Sequence, residues 1–345
     1  FVMNIVRVAL AVPLPRFFDY LYSPDLTPIV GGRVLVPLGS QKRVGIVVDL
    51  PASSDVAKEK LKPIIDVLDA DSLFNSTTWD WLSWSANYYR AALGDVLFQA
   101  LPVKLRHGES AVKNDRTFWR ITDLGKQALE SGDLKRAKKQ IEALNLLLTQ
   151  DLEKGNNEIS SAIWSALKGK DYVEEIIVPT EQKSWQQALG DNPLVNLDNR
   201  LTLNKQQALA FSQLLFQEGF NVWLLEGVTG SGKTEIYLQY IEEVLKKGKQ
   251  VLVLVPEIGL TPQTVRRFQA RFNVEIDVLH SNLNDTQRLN VWERARTGQS
   301  AIVIGTRSAL FTQFSDLGLI ILDEEHDGSF KQQDGWRYHA RDLGI

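Results

Sequence analysis

Residues 227–234 combine three glycines with a lysine and a hydroxyl side chain, in the spacing G-x-x-x-x-G-K-S/T. The glycines let backbone N–H groups converge on an anion, because no Cβ stands in the way. Lys233 is placed to reach the β- and γ-phosphates of a nucleotide, and the Thr234 hydroxyl to hold Mg²⁺. The pattern predicts an ATP- and Mg²⁺-binding loop in which Lys233 is catalytic. The predicted nucleotide-binding residues are Gly227, Val228, Thr229, Gly230, Ser231, Gly232, Lys233 and Thr234.

Two carboxylates, Asp323 and Glu324, follow the apolar run 319–322. At the end of a strand, Asp323 is placed to hold Mg²⁺. Glu324 is placed to polarise an attacking water as a general base. The alternative is a solvated acidic turn, but the phosphate loop upstream favours a second half of an ATP site. Gln207 precedes Gly227 by about 20 residues and can reach an adenine edge with its amide; taken alone, it is typical of a surface residue.

The elements around these motifs alternate between strand and helix. The pattern predicts a helix over 201–218, a strand over 222–225 leading into the loop, and a helix over 235–247. Further strands at 250–255, 275–279, 301–304 and 317–322 alternate with helices. This order is typical of a doubly wound α/β sheet, whose ligands bind at the carboxyl ends of the strands. Each polar motif falls at such an end.

The first hundred residues carry several short strands with regular turn signals, which predicts a small β-barrel. Asp19 lies between Phe18 and Tyr20. The two rings offer a stacking face for a base, and the carboxylate can accept a hydrogen bond from a sugar hydroxyl. The alternative, favoured by the pattern alone, is that the rings belong to the core and Asp19 caps a turn.

A helix over 77–92 follows, with an aromatic stripe that predicts packing on the barrel; its members are Trp81, Trp84, Tyr88 and Tyr89. Beyond it, helices over 134–149 and 157–168 lie between strands at 116–122 and 170–179, which is the order of a winged helix. The predicted domains are therefore a β-barrel over 1–105, a winged helix over 106–180, a linker over 181–199 and an α/β lobe over 200–345.

The amino-acid composition limits the class of protein to which the chain can belong. The 345 residues are 44% apolar and 23% charged, with a net charge of −3, as in ordinary globular proteins. Absence of cysteine excludes disulfides and thiolate metal sites in this stretch. No apolar run approaches the roughly 20 residues of a membrane helix, so we expect a cytoplasmic location and no membrane partner. The chain begins at Phe1 and stops at Ile345 shortly after the acidic motif, which suggests a piece of a longer protein.

Four stretches, 227–234, 255–263, 304–311 and 323–326, together resemble the first half of a superfamily 2 DNA helicase. Four more, 12–21, 94–102, 279–281 and 330–342, resemble the bacterial primosomal helicases that restart stalled replication forks. The middle segment matches that family in length and order more than in residues. The resemblance implies a multidomain fold: a small OB-like β-barrel, a winged-helix domain, and lobe 1 of a RecA-like P-loop helicase.

The resemblance also implies roles for particular side chains. The barrel would bind the 3′ end of the nascent leading strand in a pocket, which reverses the core interpretation of Asp19. Gln207, or Gln206 by a register slip, would recognise adenine. Residues 336–339 would form an aromatic-rich loop that senses single-stranded DNA and couples it to ATP hydrolysis. The implied pocket residues are Phe18, Asp19, Tyr20, Gly39 and Lys62; the implied coupling residues are His326, Trp336, Arg337, Tyr338 and His339; further implied DNA contacts are Thr306 and Arg307.

The implied activity is that of an ATP-dependent 3′-to-5′ DNA helicase that recognises abandoned forks and initiates primosome assembly. Its partners would be single-stranded DNA, forked DNA with a nascent 3′ end, single-strand-binding protein and other primosome proteins. Its cofactors would be ATP, Mg²⁺ and, in a module outside these residues, zinc. A second lobe and its arginine are also missing, so we expect weak nucleotide binding and little ATP turnover. The alternatives are a double-stranded DNA translocase of the restriction or remodelling type and a non-motor fork-binding module.

Overall fold

The computed structural model describes residues 4–12, 14, 16–111, 115–132, 134, 137–154, 159–179, 182–216 and 219–345. The chain divides into two compact units. One combines Phe1–Ala111 with Lys183–Ile345, and the other is Val112–Gln182. Among the described helices, none is long and apolar enough to cross a membrane.

The N-terminal portion is a five-stranded antiparallel sheet with the order β2-β1-β4-β3-β5. Alternation along β1 buries Val6 and Val8 inside the sheet, which is the period-two pattern expected of a strand with one buried face. Pro63 forms a bridge with Leu21 of β2, so the sheet curls and its two edges approach each other. The strands are β1 Asn4–Leu10, β2 Phe18–Tyr22, β3 Arg33–Leu38, β4 Gln41–Asp49 and β5 Asp66–Val67.

Three helices follow this sheet: α1 Ser76–Tyr88, α2 Leu93–Gln99 and α3 Val103–Arg106. Helix α1 begins where the Asn75 side chain accepts a hydrogen bond from the Thr78 N–H. The predicted aromatic stripe is only half correct. Trp81 and Tyr89 pack against the hydrophobic core, whereas the side chains of the other two lie in solvent. Trp84 and Tyr88 instead stack on each other, with ring centroids 4.9 Å apart.

The second unit is a three-stranded antiparallel sheet, with the order β7-β6-β8, packed with three helices. Its core contains Trp119 and Trp164, whose rings stack with centroids 5.2 Å apart. The strands are β6 Asp115–Ile121, β7 Leu152–Glu153 and β8 Val173–Pro179, and the helices are α4 Asp123–Ser131, α5 Lys138–Leu147 and α6 Ser161–Lys168.

Residues 183–199, predicted as part of a linker, belong to the first unit. Helix α7, Trp185–Leu189, buries Trp185 in a core with the strand at 250–254 and the helices beside that strand. Val195 pairs with Phe272. The Gly, Pro and Asn content that suggested a linker marks the turns around these anchors. Glu181 of the predicted linker lies outside the described residues.

The remaining residues form a four-stranded parallel sheet, with the order β10-β11-β9-β12. Strand β9 is buried along its whole length, as expected for a strand covered on both faces. One face shares a continuous core with helices α1–α3, and the other packs on α9 and α10. The elements are α8 Lys205–Leu215, α9 Lys233–Lys246, β9 Gln250–Leu254, α10 Pro262–Arg271, β10 Ile276–Leu279, α11 Asp285–Arg296, β11 Ile302–Gly305, β12 Leu317–Leu322 and α12 Ala340–Gly344.

The strand predicted over 222–225 is wrong. These residues form no strand, and the side chains of Val222, Trp223 and Leu224 are exposed. The segment has no neighbouring strand within the described residues, and an isolated extended chain cannot satisfy its backbone N–H and C=O groups by pairing. The apolar pattern was present, but the strand partner that it requires was not.

Candidate DNA and nucleotide sites

A pocket of about 600 Å³ opens on the N-terminal sheet. All five residues that the family resemblance assigned to a 3′-end pocket line it, namely Phe18, Asp19, Tyr20, Gly39 and Lys62. They come from β2, from the turn between β3 and β4, and from the segment that bridges β2. The curl of the sheet is what brings these separate stretches together.

Asp19 forms the charged centre of the pocket. The Arg7 guanidinium donates two hydrogen bonds to its carboxylate, from Nε at 2.8 Å and from Nη2 at 2.9 Å. The Ser54 hydroxyl donates a third. The hydrogen bond from Arg7 is the largest of the effects that hold the pKa of Asp19 below its usual range, although burial opposes it. The carboxylate is therefore held ionised, and it accepts hydrogen bonds rather than donating them.

The pocket walls combine rings with cations. The Arg16 guanidinium lies 5.0 Å from the Phe18 ring centroid. Tyr20 is a core residue whose hydroxyl donates to the Pro37 carbonyl, so the core interpretation was correct for that ring. Lys60 and Lys62 are exposed at the rim. Together these groups suit a nucleotide, which presents a flat base and anionic phosphates.

Sequence reasoning missed Arg7, Arg16 and Lys60 as pocket residues. One signal was available for Arg7: in a β1–β2 hairpin, Arg7 lies directly opposite Asp19. Opposite charges at facing positions on one sheet surface interact across the strands. The positions of Arg16 and Lys60 depend on the course of two loops, which no local pattern specifies.

The predicted phosphate loop leads directly into α9, which begins at Lys233. Gly230 and Gly232 adopt left-handed backbone conformations, with φ of 81° and 85°. A Cβ added at Gly232 would lie 2.1 Å from Gln207 Nε2, so only glycine fits. Lys233 Nζ donates to the Gly227 carbonyl, which places the ammonium over the loop. The N-terminus of α9 and the lysine thus face the same space, as phosphate binding requires.

Helix α9 is anchored by a buried ion pair one residue after the loop. Arg271 Nη2 donates to Glu235 Oε1 at 2.9 Å, and the two side chains are 1% and 9% exposed. Gln239 Nε2 donates to the same carboxylate. Because these groups are withdrawn from water and mutually paired, they fix the position of the loop against α10.

Gln207 lies against the phosphate loop. Its Nε2 donates to the Ser231 carbonyl at 2.9 Å, and its Oε1 accepts from the Asn204 N–H in a capping box at the start of α8. Both ends of the amide are therefore engaged in holding α8 to the loop. The prediction that Gln207 recognises adenine stays a prediction; register favours it over Gln206 for contact with the loop.

Asp323 lies at the carboxyl end of β12 and is joined to the phosphate-loop helix through Tyr237. The Tyr237 hydroxyl donates to Asp323 Oδ2 at 3.1 Å, and the Thr234 side chain lies beside the same hydroxyl. Burial raises the pKa of Tyr237, and the nearby Asp323 carboxylate adds to this. The structure thus brings the two predicted Mg²⁺ residues, Thr234 and Asp323, to one hydroxyl. A hydroxyl and a carboxylate are the oxygen donors that Mg²⁺ prefers.

Glu324 departs from ordinary backbone geometry, with a left-handed φ of 51°. Such a conformation is uncommon for a non-glycine residue and concentrates at functional sites. Its side chain is exposed beside His326, with Nε2 and Oε2 3.6 Å apart. The turn separates Glu324 from Asp323, so one carboxylate points to Tyr237 while the other remains accessible. No group of three or more His, Asp or Glu side chains that could hold a metal occurs among the described residues.

The aromatic-rich loop is folded inward. Trp336 and Tyr338 are buried and lie 4.8 Å apart, and both rings contact Phe311. Burial raises the pKa of Tyr338 to about 12. Arg307 Nη1 donates to the Ser329 and Lys331 carbonyls and so holds the start of the loop. In this conformation the two rings cannot stack on DNA bases, whereas the Arg337 side chain is exposed.

Comparison with known proteins decides the family. The family model for the PriA 3′ DNA-binding domain (3′BD) matches residues 7–102. The family model for the DEAD/DEAH box helicase matches residues 204–344. The replication restart protein PriA of Haemophilus influenzae is 75% identical over 343 residues, which are 99% of this chain. The chain belongs to the PriA family. It carries a 3′ DNA-binding domain, with a curled antiparallel sheet, and a helicase domain, with a parallel sheet.

Other PriA proteins are similar over nearly the same length. Those of Buchnera aphidicola and Bacillus subtilis are 35% and 29% identical, each over 99% of this chain. The chain spans about half the length of these relatives, from 47% to 51%. It corresponds to the N-terminal portion of such a protein.

Proposed function

We propose that this chain is the fork-recognising and ATP-binding portion of an ATP-dependent 3′-to-5′ DNA helicase, which recognises stalled or abandoned replication forks and initiates primosome assembly. The observation that carries this proposal is the pocket around Asp19. Five residues from three separate stretches line it together, and an ionised carboxylate lies among cations and a ring. A terminal 3′ hydroxyl can donate a hydrogen bond to such a carboxylate, and the lysines at the rim suit the adjoining phosphate.

The finer fold assignments belong to the same proposal. The curled sheet supports an OB-like barrel over 1–105, and the three helices with the β7-β6-β8 sheet support a winged helix over 106–180 that contacts duplex DNA. The parallel sheet and phosphate loop support lobe 1 of a RecA-like helicase over 200–345. Single-strand-binding protein, other primosome proteins and a zinc module are proposed for the complete protein on resemblance alone.

In the proposed ATP site, Lys233 neutralises the transferred phosphate, and Thr234 and Asp323 hold Mg²⁺, which supplies further charge neutralisation when bound. Tyr237 positions Asp323 through its hydrogen bond. Glu324 activates the attacking water. In this family of motors a second lobe contributes an arginine to the same site, so we expect the chain alone to bind ATP weakly and to turn it over poorly. DNA-stimulated turnover at the rate of a complete helicase would contradict this.

The test of the proposed function is the binding of the chain to two forks that differ at one group, a free or a phosphorylated 3′ end on the leading strand. A terminal phosphate removes the hydroxyl donor and adds about 1.5 to 2 negative charges beside Asp19. We expect the free hydroxyl to bind at least about tenfold more tightly, or roughly 1.4 kcal/mol. Fluorescence anisotropy with labelled forks measures the ratio, and equal affinities would remove the 3′-end pocket.

Replacement of Lys233 by alanine should weaken the binding of an ATP analogue by about tenfold, because the ammonium is the main charge facing the phosphates. Titration with a fluorescent ATP analogue measures this. Lys247→Ala is the matched control, since Lys247 is an exposed lysine beyond the far end of α9. Fork binding through the N-terminal pocket should be the same in both variants. An unchanged nucleotide affinity for Lys233→Ala would contradict the assignment of the loop.

Two other functions make different predictions. A double-stranded DNA translocase would show ATPase activity that duplex DNA stimulates regardless of fork structure. A non-motor fork-binding module would keep its full-length activity on forks when Lys233 is replaced. The pocket on the N-terminal sheet argues against the translocase, which has no need of a strand end, and replacement of Lys233 decides between a motor and a fork-binding module.

A further inference from the structure

Helix α1 presents two stacked aromatic rings to solvent. Trp84 and Tyr88 lie one helical turn apart, with ring centroids 4.9 Å apart and planes 23° from parallel. Their exposed fractions are 47% and 58%, although Trp81 and Tyr89 of the same segment pack against the core. Neither exposed ring belongs to a hydrophobic core. Contiguous exposed apolar surface is a feature of binding sites.

The exposed pair is continuous with the aromatic-rich loop of the helicase domain. Tyr88 contacts Tyr89 edge to face at 4.9 Å, and Tyr89 lies 6.4 Å from Trp336. The Tyr89 hydroxyl accepts from the His339 N–H at 3.1 Å and donates to Asp342 at 3.2 Å. The loop rings themselves are buried, so the accessible aromatic surface at this place is on α1.

Positive charge lies at the end of the pair nearest the loop. Arg90 comes two residues after Tyr88, with an exposed side chain and a left-handed φ of 53°. Arg337 is exposed on the loop that Tyr89 contacts. In the part of the chain that the structure describes, neither guanidinium makes a hydrogen bond or an ion pair, so both are available to phosphates. Asp80, one turn before Trp84, is exposed and repels phosphates, which limits the surface at its other end.

We propose that Trp84 and Tyr88 form a stacking site for unpaired bases of single-stranded DNA, which enters beside the aromatic-rich loop. Stacked rings with flanking guanidiniums bind bases without regard to sequence, because every base has an aromatic face. The surface lies within the residues matched to the 3′ DNA-binding domain, which favours nucleic acid over a protein partner. A base stacked on Tyr88 acts on the aromatic-rich loop through Tyr89, whose ring contacts both Tyr88 and Trp336. The inference rests on the proposed function in that both require DNA, but it uses a different surface from the 3′-end pocket.

The experiment uses a fluorescent fifteen-residue oligothymidylate whose 3′ end is phosphorylated, so that the 3′-end pocket contributes little. The double variant Trp84→Ala/Tyr88→Ala should bind about tenfold or more weakly, since each lost stack weakens binding by at least about fivefold. Tyr88→Phe keeps the ring and should bind as the unchanged chain does. Phe216→Ala, which removes a ring 81% exposed at the end of α8, is the matched control and should also bind normally.

Preference for a free 3′ hydroxyl at forks, measured on the same variants, separates the two surfaces. The double variant should retain this preference. If the unchanged chain shows no preference, that result would count against the 3′-end pocket only. An unchanged affinity of the double variant for the oligothymidylate would overturn the stacking site. A second result would also overturn it: the unchanged chain sediments as a dimer, and the double variant sediments as a monomer with unchanged DNA affinity. The rings would then form an interface between copies of the chain.

Discussion

Asp19→Asn should reduce the affinity of the chain for a fork with a free 3′ hydroxyl by about 10- to 150-fold, while affinity for a 3′-phosphorylated fork falls little. A hydrogen bond to a charged group contributes about 1.5 to 3 kcal/mol, and the neutral amide lacks the charge. The amide also places N–H donors where Arg7 and Ser54 donate, so the pocket loses its acceptor geometry. Anisotropy titrations with the two forks measure both affinities.

The same pocket predicts a pH dependence whose sign follows from Arg7. Hydrogen bonding from Arg7 lowers the pKa of Asp19 below its ordinary value of about 4. In the unchanged chain, recognition that needs ionised Asp19 therefore persists as the pH falls toward 4. In Arg7→Gln the pKa of Asp19 rises, so recognition should decline at a higher pH than in the unchanged chain.

Arg43→Gln is the matched control for Arg7→Gln, because Arg43 is an exposed arginine of the same sheet whose only described side-chain bond is to Gln41. Its pH profile should follow that of the unchanged chain. Identical profiles for Arg7→Gln and Arg43→Gln would show that Arg7 does not set the ionisation of Asp19.

Local pattern was sufficient where the stabilising contacts are local or the strand alternates strictly. The sequence predicts a strand over 33–38 and a helix over 285–296, and β3 and α11 have these bounds in the structure. Helix α11 begins at a capping box formed by Asn284 and Gln287, which the sequence carries within three residues. The parallel sheet was predictable for a different reason, since β9 is apolar after Gln250 and is buried along its whole length.

Prediction from the local sequence pattern failed where the pairing strand is distant in sequence. The strand predicted over 222–225 has the right residues but no described neighbour. The sequence also predicts a strand over 61–68, of which only Asp66–Val67 forms a strand, β5. Pro63 lacks an N–H, so this stretch reaches β2 by an isolated bridge rather than by a ladder. Whether a segment forms a strand thus depends on its tertiary contacts, which its composition alone does not determine.

The candidate sites divide in the same way. The phosphate loop was predictable because its glycines, lysine and threonine are adjacent in sequence, and the pocket residues were known only through a family resemblance. Tyr237 was missed, although it lies three residues after Thr234 and therefore on the same face of α9. Its role depends on Asp323, which is 86 residues away in sequence, and that contact belongs to the fold.

Asp69→Ala is expected to destabilise the N-terminal portion by about 3 to 5 kcal/mol, because it leaves a buried charge without its partner. The Arg33 side chain is fully buried and its Nε and Nη2 each donate to the Asp69 carboxylate at 2.8 Å. Its Nη1 donates to the carbonyls of Leu105 and Glu109, so the pair joins β3 to α3 and to the residues just after it. Denaturant unfolding followed by hydrogen exchange of β3 amides measures the loss.

Glu109→Ala is the control in the same region, since its carboxylate pairs with Lys104 near the surface and its backbone carbonyl is retained. An exposed pair of this kind contributes up to about 1 kcal/mol. The double variant Arg33→Met/Asp69→Leu removes both charges, so it should recover most of the loss seen in Asp69→Ala. If Asp69→Ala instead unfolds within about 1 kcal/mol of the unchanged chain, water must reach Arg33, and the ion pair then does not hold the DNA-binding sheet to its helices.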